Sequence, residues 1–159
     1  MKVVTVNTGS SSYRLAAFES GESPPRRIAS VRRERGEASF EESLRAFLRE
    51  HRLGEVAAVA HRVVHGGERL VRSTLVDAAV EAEIERLGSL APLHNPPALE
   101  AIRRTRAALG AAAAQVAVFD TAFFASIPEV AAAYALPADL ARRHGIRRYG
   151  YHGLAHEAM

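Results

Sequence analysis

At 159 residues the chain is long enough for one domain with a proper core, and 48% apolar with 25% charged residues is ordinary for a globular protein. It has no cysteine, which excludes disulfides and thiolate metal sites and fits a reducing cytoplasm. The formal charge of +3 rests on arginine, Lys2 being the only lysine, and the pairs Arg26-Arg27, Arg32-Arg33, Arg103-Arg104, Arg142-Arg143 and Arg147-Arg148 fall on different predicted elements, so no single basic face with interleaved aromatics points to nucleic acid.

Lys2 to Asn7 reads as a first strand from its valines, and the run is too short for a signal peptide or a membrane span. Thr8 to Ser12 is a tight polar turn, and Tyr13 to Glu19 a second strand closing a hairpin. A turn at Gly21-Glu22-Ser23-Pro24-Pro25 leads to a weakly alternating, edge-like strand over 26–35. Ser39 with Glu42 has capping-box spacing for a helix whose stripe is Leu44, Phe47 and Leu48 and which ends at Gly54. Glu55 to Ala60 is the next strand. Asp77 caps a helix with Val80, Ile84 and Leu87 on one face. Asn95 can cap another, with Pro96 in its first turn and Leu99, Ile102 and Leu109 as its core stripe. Gln115 to Phe119 is an apolar strand ending at Asp120, and Pro137 to Arg143 a further helix. The order βββαβαβα predicts an α/β fold, a mixed sheet of about five strands covered by helices, with no repeat and no linker.

Four places carry residues suited to chemistry. His61-Arg62-Val63-Val64-His65-Gly66-Gly67 runs straight out of the apolar stretch 56–60. An arginine there needs an anionic partner, and its planar fork suits a carboxylate or a phosphate; an acidic side chain at the sheet rim satisfies it equally well. The turn Asn7-Thr8-Gly9-Ser10-Ser11-Ser12 can form an anion-binding nest with added hydroxyl donors, or be a plain polar hairpin, and it lacks Walker spacing. Asp120 ends a strand, where open α/β sheets place ligand groups or where an aspartate caps a turn. His152 precedes Gly153, which leaves room for a ligand; the imidazole can steady a phosphoryl group or make a structural hydrogen bond. The pairs His61/His65 and His152/His156 lack the glutamate of H-E-x-x-H, which argues against a metal held by them.

Five segments, taken in order and spacing, resemble the N-terminal half of acetate kinases and the related propionate kinases. They are Val4 to Ser12, Ala60 to Glu68, Leu90 to Pro97, Val118 to Phe123 and Gly145 to Gly153. The resemblance implies the actin-like, ribonuclease H-like fold of the sugar kinase superfamily. It implies reversible phosphoryl transfer between ATP and acetate or propionate, with Mg²⁺, giving an acyl phosphate and ADP. Carried over residue by residue, it makes Arg62, Asp120 and His152 catalytic, with Arg62 also binding the substrate carboxylate or phosphoryl group. Val64 and Leu93 line the acyl pocket, Ser10, Ser12, Arg14 and His152 approach the phosphates, and Asn7 lies near the metal. Arg14, Phe124 and Leu154-Ala155 stand where the family has Lys, His and Thr-Ser. The expected organisation is a single N-terminal domain over residues 1–159, lacking a C-terminal half that in the family carries the adenosine site, a second arginine and a late glutamate. The expected partners are small substrates, with a homodimer or a C-terminal half completing the assembly, in the cytoplasm and without nucleic acid or membrane. A non-catalytic acyl-phosphate-binding module and an inactive relic are the alternatives. Apolar surface left uncovered by a missing half predicts self-association.

Overall fold

The computed structural model describes residues 1–9, 11–21, 23–34, 36 and 38–159, with Ala111 described in its backbone only. β1 (Lys2–Thr8) pairs antiparallel with β2 (Ser12–Glu19), which pairs antiparallel with β3 (Arg26–Glu34). β1 also pairs in parallel with β4 (Ala58–Val63), and β4 with β6 (Ala114–Phe119). β5 (Thr74–Leu75) adds an antiparallel edge, so the sheet has six strands in the order β3-β2-β1-β4-β6-β5.

Strand parity sorts the side chains. Val4, Val6, Tyr13, Leu15, Val59, Val63, Ala117 and Phe119 point to one face and are buried. Three helices cover that face: α1 (Phe40–Glu50), α2 (Ala78–Arg86) and α3 (Asn95–Leu109). Phe40, Leu44 and Phe47 of α1 meet the β1–β2 end, and Val80, Ile84, Leu99 and Ile102 meet Val63 and Phe119. Each such side chain contributes about 1.5–3 kcal/mol of burial. Two of the three expected caps are present. Ser39 and Glu42 form a reciprocal capping box, and Asp77 Oδ1 accepts from the Val80 N–H at 2.8 Å.

Three local readings change. The strand expected over 55–60 runs from Ala58 to Val63, because its ladders to β1 and β6 begin only at Ala58. Arg62 therefore lies within a central strand rather than beyond it. Asn95 does not cap α3; the N-cap is His94, without a side-chain bond, and the Asn95 amide is used elsewhere. The βββαβαβα order gains β5 and shows two helices, α2 and α3, between β4 and β6. After β6 come a 3₁₀ turn (Asp120–Phe124), then α4 (Glu129–Ala132), α5 (Ala138–His144) and α6 (Gly153–Glu157). Among the described residues no helix is long and apolar enough to cross a membrane.

Candidate active site

The opposite face of the sheet carries the polar parity: Thr5 and Asn7 of β1, Arg14 of β2 and Arg62 of β4. Arg62, next to buried Val63 on the strand, turns to this side and meets Asp120 at the end of β6. Its Nε–H donates to both carboxylate oxygens, at 3.2 Å to Oδ1 and 3.1 Å to Oδ2. Nη2 donates to Oδ2 at 2.5 Å, and Nη1 to Asn7 Oδ1 at 3.1 Å. The Asp120 side chain is 1% exposed and that of Arg62 25%, so a buried carboxylate is neutralised by a cation that still touches solvent. A guanidinium has five N–H donors. Among the described residues three are engaged, by Asp120 and Asn7, which leaves one each on Nη1 and Nη2. An N–H left on each terminal nitrogen can receive an oxygen of a carboxylate or phosphoryl group.

These side chains open on a cavity of about 540 Å³ lined by Thr5, Asn7, Ala60, Arg62, Val118, Asp120 and His152, with Leu154 and Ala155 of α6 as its roof. His152 sits at φ 58° at the N-terminus of α6, a left-handed conformation that turns the chain back over Asp120. The role expected for Gly153 is corrected here. A Cβ on Gly153 would lie 1.8 Å from the Asp120 carbonyl oxygen and 2.7 Å from Phe123 Cβ. The glycine admits the protein's own backbone, not a ligand, and that approach is what brings His152 to the cavity.

The same logic governs Gly66, whose Cβ would meet the Leu70 carbonyl at 2.2 Å and the Phe119 ring at 2.9 Å. The segment after β4 is then pinned from two sides. Asn95 Oδ1 accepts from the His65 N–H at 3.0 Å while its Nδ2 donates to the His65 carbonyl at 2.9 Å. Thr121 Oγ1 accepts from the Gly66 N–H at 2.9 Å. His65 Nδ1 accepts from the Gly67 N–H, which places the ring proton on Nε2. Burial lowers the His65 pKa. Burial also pushes His61 down to about 4, against the opposing effect of its 2.9 Å hydrogen bond to Gln115 Oε1, so this ring is a neutral core group.

Of the residues expected at a site, the fold gathers Asn7, Arg62, Asp120 and His152 around one cavity. Ser12 and Arg14 line an adjoining hollow of about 220 Å³ with Asn7, Gly9 and Arg32, so Asn7 belongs to both. Ser10 lies outside the described residues. Val64 and Leu93 line neither hollow. Val64 is buried, with its carbonyl accepting from the Thr121 N–H, and Leu93 is 67% exposed. Thr5, Val118 and Leu154 were missed; strand parity with Asn7 and Arg62 marks the first two, while nothing local marks Leu154. Asn95 and Thr121 were missed as clamps because their partners lie 30 and 55 residues away.

Mg²⁺ prefers a few oxygen ligands and keeps several waters. Asn7 Oδ1 and the Asp120 carboxylate are oxygens of the right kind, both on the Arg62 guanidinium, and among the described residues no cluster of three or more His, Asp or Glu could form a closed cage. Both oxygens are of the kind a hydrated Mg²⁺ takes, and both are already hydrogen-bonded to the Arg62 guanidinium.

The model of the acetokinase family matches residues 12–159. An acetate kinase from Chloroherpeton thalassium is 54% identical over 104 residues, which is 65% of this chain and 25% of that protein. A propionate kinase structure from Francisella tularensis superposes with a TM-score of 0.85 at 32% identity, covering 98% of this chain and 46% of that one. The acetate kinase of Porphyromonas gingivalis gives a TM-score of 0.81 at 33% identity over 98% of this chain and 46% of that one. The chain thus spans a quarter of the curated relative and just under half of each solved chain. The two solved relatives have the actin-like fold expected from the sequence.

Proposed function

The chain belongs to the acetokinase family, and we propose that it supplies the acyl-phosphate half of a kinase that moves a phosphoryl group between ATP and a short carboxylate, acetate or propionate. The carrying observation is the pair of unspent N–H donors on Arg62, held in one plane by Asp120 and Asn7 at the mouth of a cavity of about 540 Å³.

A carboxylic acid of this kind has a pKa of about 4 to 5, so the acceptor is already ionised at neutral pH and needs no strong base. One carboxylate oxygen attacks the terminal phosphorus of ATP, the bond from that phosphorus to the bridging oxygen breaks, and ADP leaves with the electron pair. The protein's task is to hold two anions in line and offset their charge. In this reading Arg62 binds the carboxylate or the phosphoryl oxygens, and Asp120 fixes the guanidinium plane. His152 donates to the phosphoryl group from the opposite wall, while Ser10, Ser12 and Arg14 serve the remaining phosphates. Asn7 and Asp120 would hold Mg²⁺ through water, and the ion when bound supplies charge neutralisation on the phosphates. The small apolar walls from Ala60, Val118 and Leu154 suit a methyl or ethyl group. One methylene is worth only about 1–3 kcal/mol, so discrimination between the two acids is modest. Val64 and Leu93 stay as proposed acyl-pocket residues only if the remaining half of a full-length relative draws them in. The reading carries with it a cytoplasmic setting, a single domain over 1–159, and a C-terminal half or second subunit that closes the site and excludes water.

The test is twofold. Acetyl phosphate titrated into the chain should perturb the Arg62 and His152 side-chain NMR signals, and Arg62→Gln should abolish binding. Joined to the C-terminal half of a family member, the chain should form acetyl phosphate from ATP and acetate. A joined, folded protein with no turnover whose chain still binds acetyl phosphate would favour the binding-module alternative.

A further inference from the structure

The helix-covered side of the sheet holds another cavity, of about 190 Å³, bounded by the start of α1 and by α3. Thr8 and Tyr13 face each other across β1 and β2 with the core parity of Val6 and Leu15, on the side of the sheet away from Arg62. Both line the cavity, and both are more than nine-tenths buried. Neither Thr8 Oγ1 nor the Tyr13 hydroxyl has a hydrogen-bond partner among the described residues. A buried hydroxyl left unpaired carries the cost of its lost water, which a valine or phenylalanine of the same shape would not. Native interiors hold few such groups, and two on facing positions at one cavity call for a ligand. Phe40, Pro97 and Ala101 make the rest of the wall apolar, with the Phe40 ring edge-on to Tyr13 at 5.3 Å. The exposed lining is Glu100 and Arg104. Arg104 is shared between two carboxylates, Glu41 at 3.0 Å and Glu100 at 2.5 Å, and offers no spare charge to an anion.

We propose that this cavity is a binding site for a small uncharged ring carrying two adjacent hydroxyls, a vicinal diol whose oxygens pair with Thr8 and Tyr13 while the ring packs on Phe40, Pro97 and Ala101. The size agrees. An apolar cavity of about 150 Å³ holds benzene, so about 190 Å³ admits a six-membered ring with two hydroxyls. Hydroxyls both donate and accept, so diol and protein satisfy one another without charge. The cavity shares no lining residue with the acyl-phosphate site and stands whether or not the function proposed above holds. An aromatic ring or a sugar ring can supply the diol.

The experiment is an NMR titration of the isotope-labelled full chain with catechol, ribose and phenol, each giving a Kd from saturable shifts. Catechol is expected to move the amides of Phe40 and Ala101 and to bind about tenfold more tightly than phenol, which lacks the second hydroxyl. Thr8→Val and Tyr13→Phe should each weaken catechol about tenfold, whereas Thr105→Val should leave it unchanged. Thr105 is the control because its Oγ1 is also buried and unpartnered among the described residues, yet it does not line the cavity. Heat unfolding without ligand supplies the second readout. Thr8→Val and Tyr13→Phe should unfold at or above the midpoint of the unsubstituted chain, since each removes an unpaired group. A midpoint lowered by either would show a hydroxyl already satisfied within the fold and overturn the proposal. So would phenol binding as tightly as catechol, catechol binding unchanged in both variants, or no saturable shift with catechol or ribose, which would leave the cavity to water. The tighter of catechol and ribose identifies the source as an aromatic or a sugar diol.

Discussion

Replacing Arg62 by alanine strands Asp120. The carboxylate is 1% exposed, and three of the four hydrogen bonds made by the guanidinium go to it. Breaking a buried ion pair by deleting one partner costs about 3–5 kcal/mol, because the other charge is left without solvent or partner. Arg62 is a quarter exposed, so water can follow it into the gap, and the expected loss falls at the lower end, about 3 kcal/mol. Asp120→Asn leaves the cation unpaired where it already touches solvent, and should cost less, about 1–2 kcal/mol. The double variant removes both charges, so its loss should fall short of the sum of the singles by at least about 1.5 kcal/mol. Urea unfolding at neutral pH, followed by circular dichroism with a common slope, measures all four corners of the cycle. An Arg62→Ala loss below about 1 kcal/mol, or additivity of the two substitutions, would refute the claim that this pair is buried and coupled.

Asn95→Ala leaves the His65 N–H and carbonyl unpaired in the interior and should cost about 2–3 kcal/mol in the same assay; a near-neutral result would mean the loop after β4 is held by other contacts. Gly153→Ala places a Cβ 1.8 Å from the Asp120 carbonyl, so a Tm lowered by several degrees and weakened acetyl phosphate binding are expected together. His61 has its pKa depressed from 6.5 to about 4, so its contribution to stability is complete above pH 6.5 and is lost as pH falls through that window toward 4. The contribution is about 3 kcal/mol at most. His61→Leu should flatten the stability profile between pH 6.5 and 4, and an unchanged slope there would show that the ring is not the group responsible. Leu93 at 67% and Val130 at 88% exposed lie on the surface, and light scattering should show concentration-dependent association; a monodisperse monomer at high concentration would contradict it.

What the sequence made legible was local. Valine parity located β1, the Ser39–Glu42 and Asp77 spacings located two helix starts, and an arginine following an apolar run announced an anionic partner. That partner is Asp120, so the plain ion-pair reading of Arg62 holds, and its leftover donors keep the anion-binding reading alive beside it. What escaped depended on contacts between distant segments. The two residues of β5 are too few for alternation to register. Asn95 has the composition of a cap, but its amide serves His65 across 30 residues. Gly153 looked like space for a ligand because the Asp120 carbonyl that fills it lies 33 positions earlier in the chain.

The Arg62–Asp120 pair is a poor investment if stability were its only purpose. A buried ion pair often contributes no more than two well-packed apolar side chains of similar volume, since desolvation consumes the Coulombic gain. Val118 and Ala60 already form an apolar floor beside it, so a Leu or Met at either position would suit the fold. What apolar residues could not do is hold a guanidinium in a fixed plane with two N–H groups aimed at a cavity. Orientation set before a ligand arrives removes reorganisation from the binding step, which is how fixed donors come to outperform water around a developing charge. The carboxylate therefore acts through the arginine. Three donors of the guanidinium go to Asp120 and Asn7, and the proposed chemistry of the site rests on the remaining two.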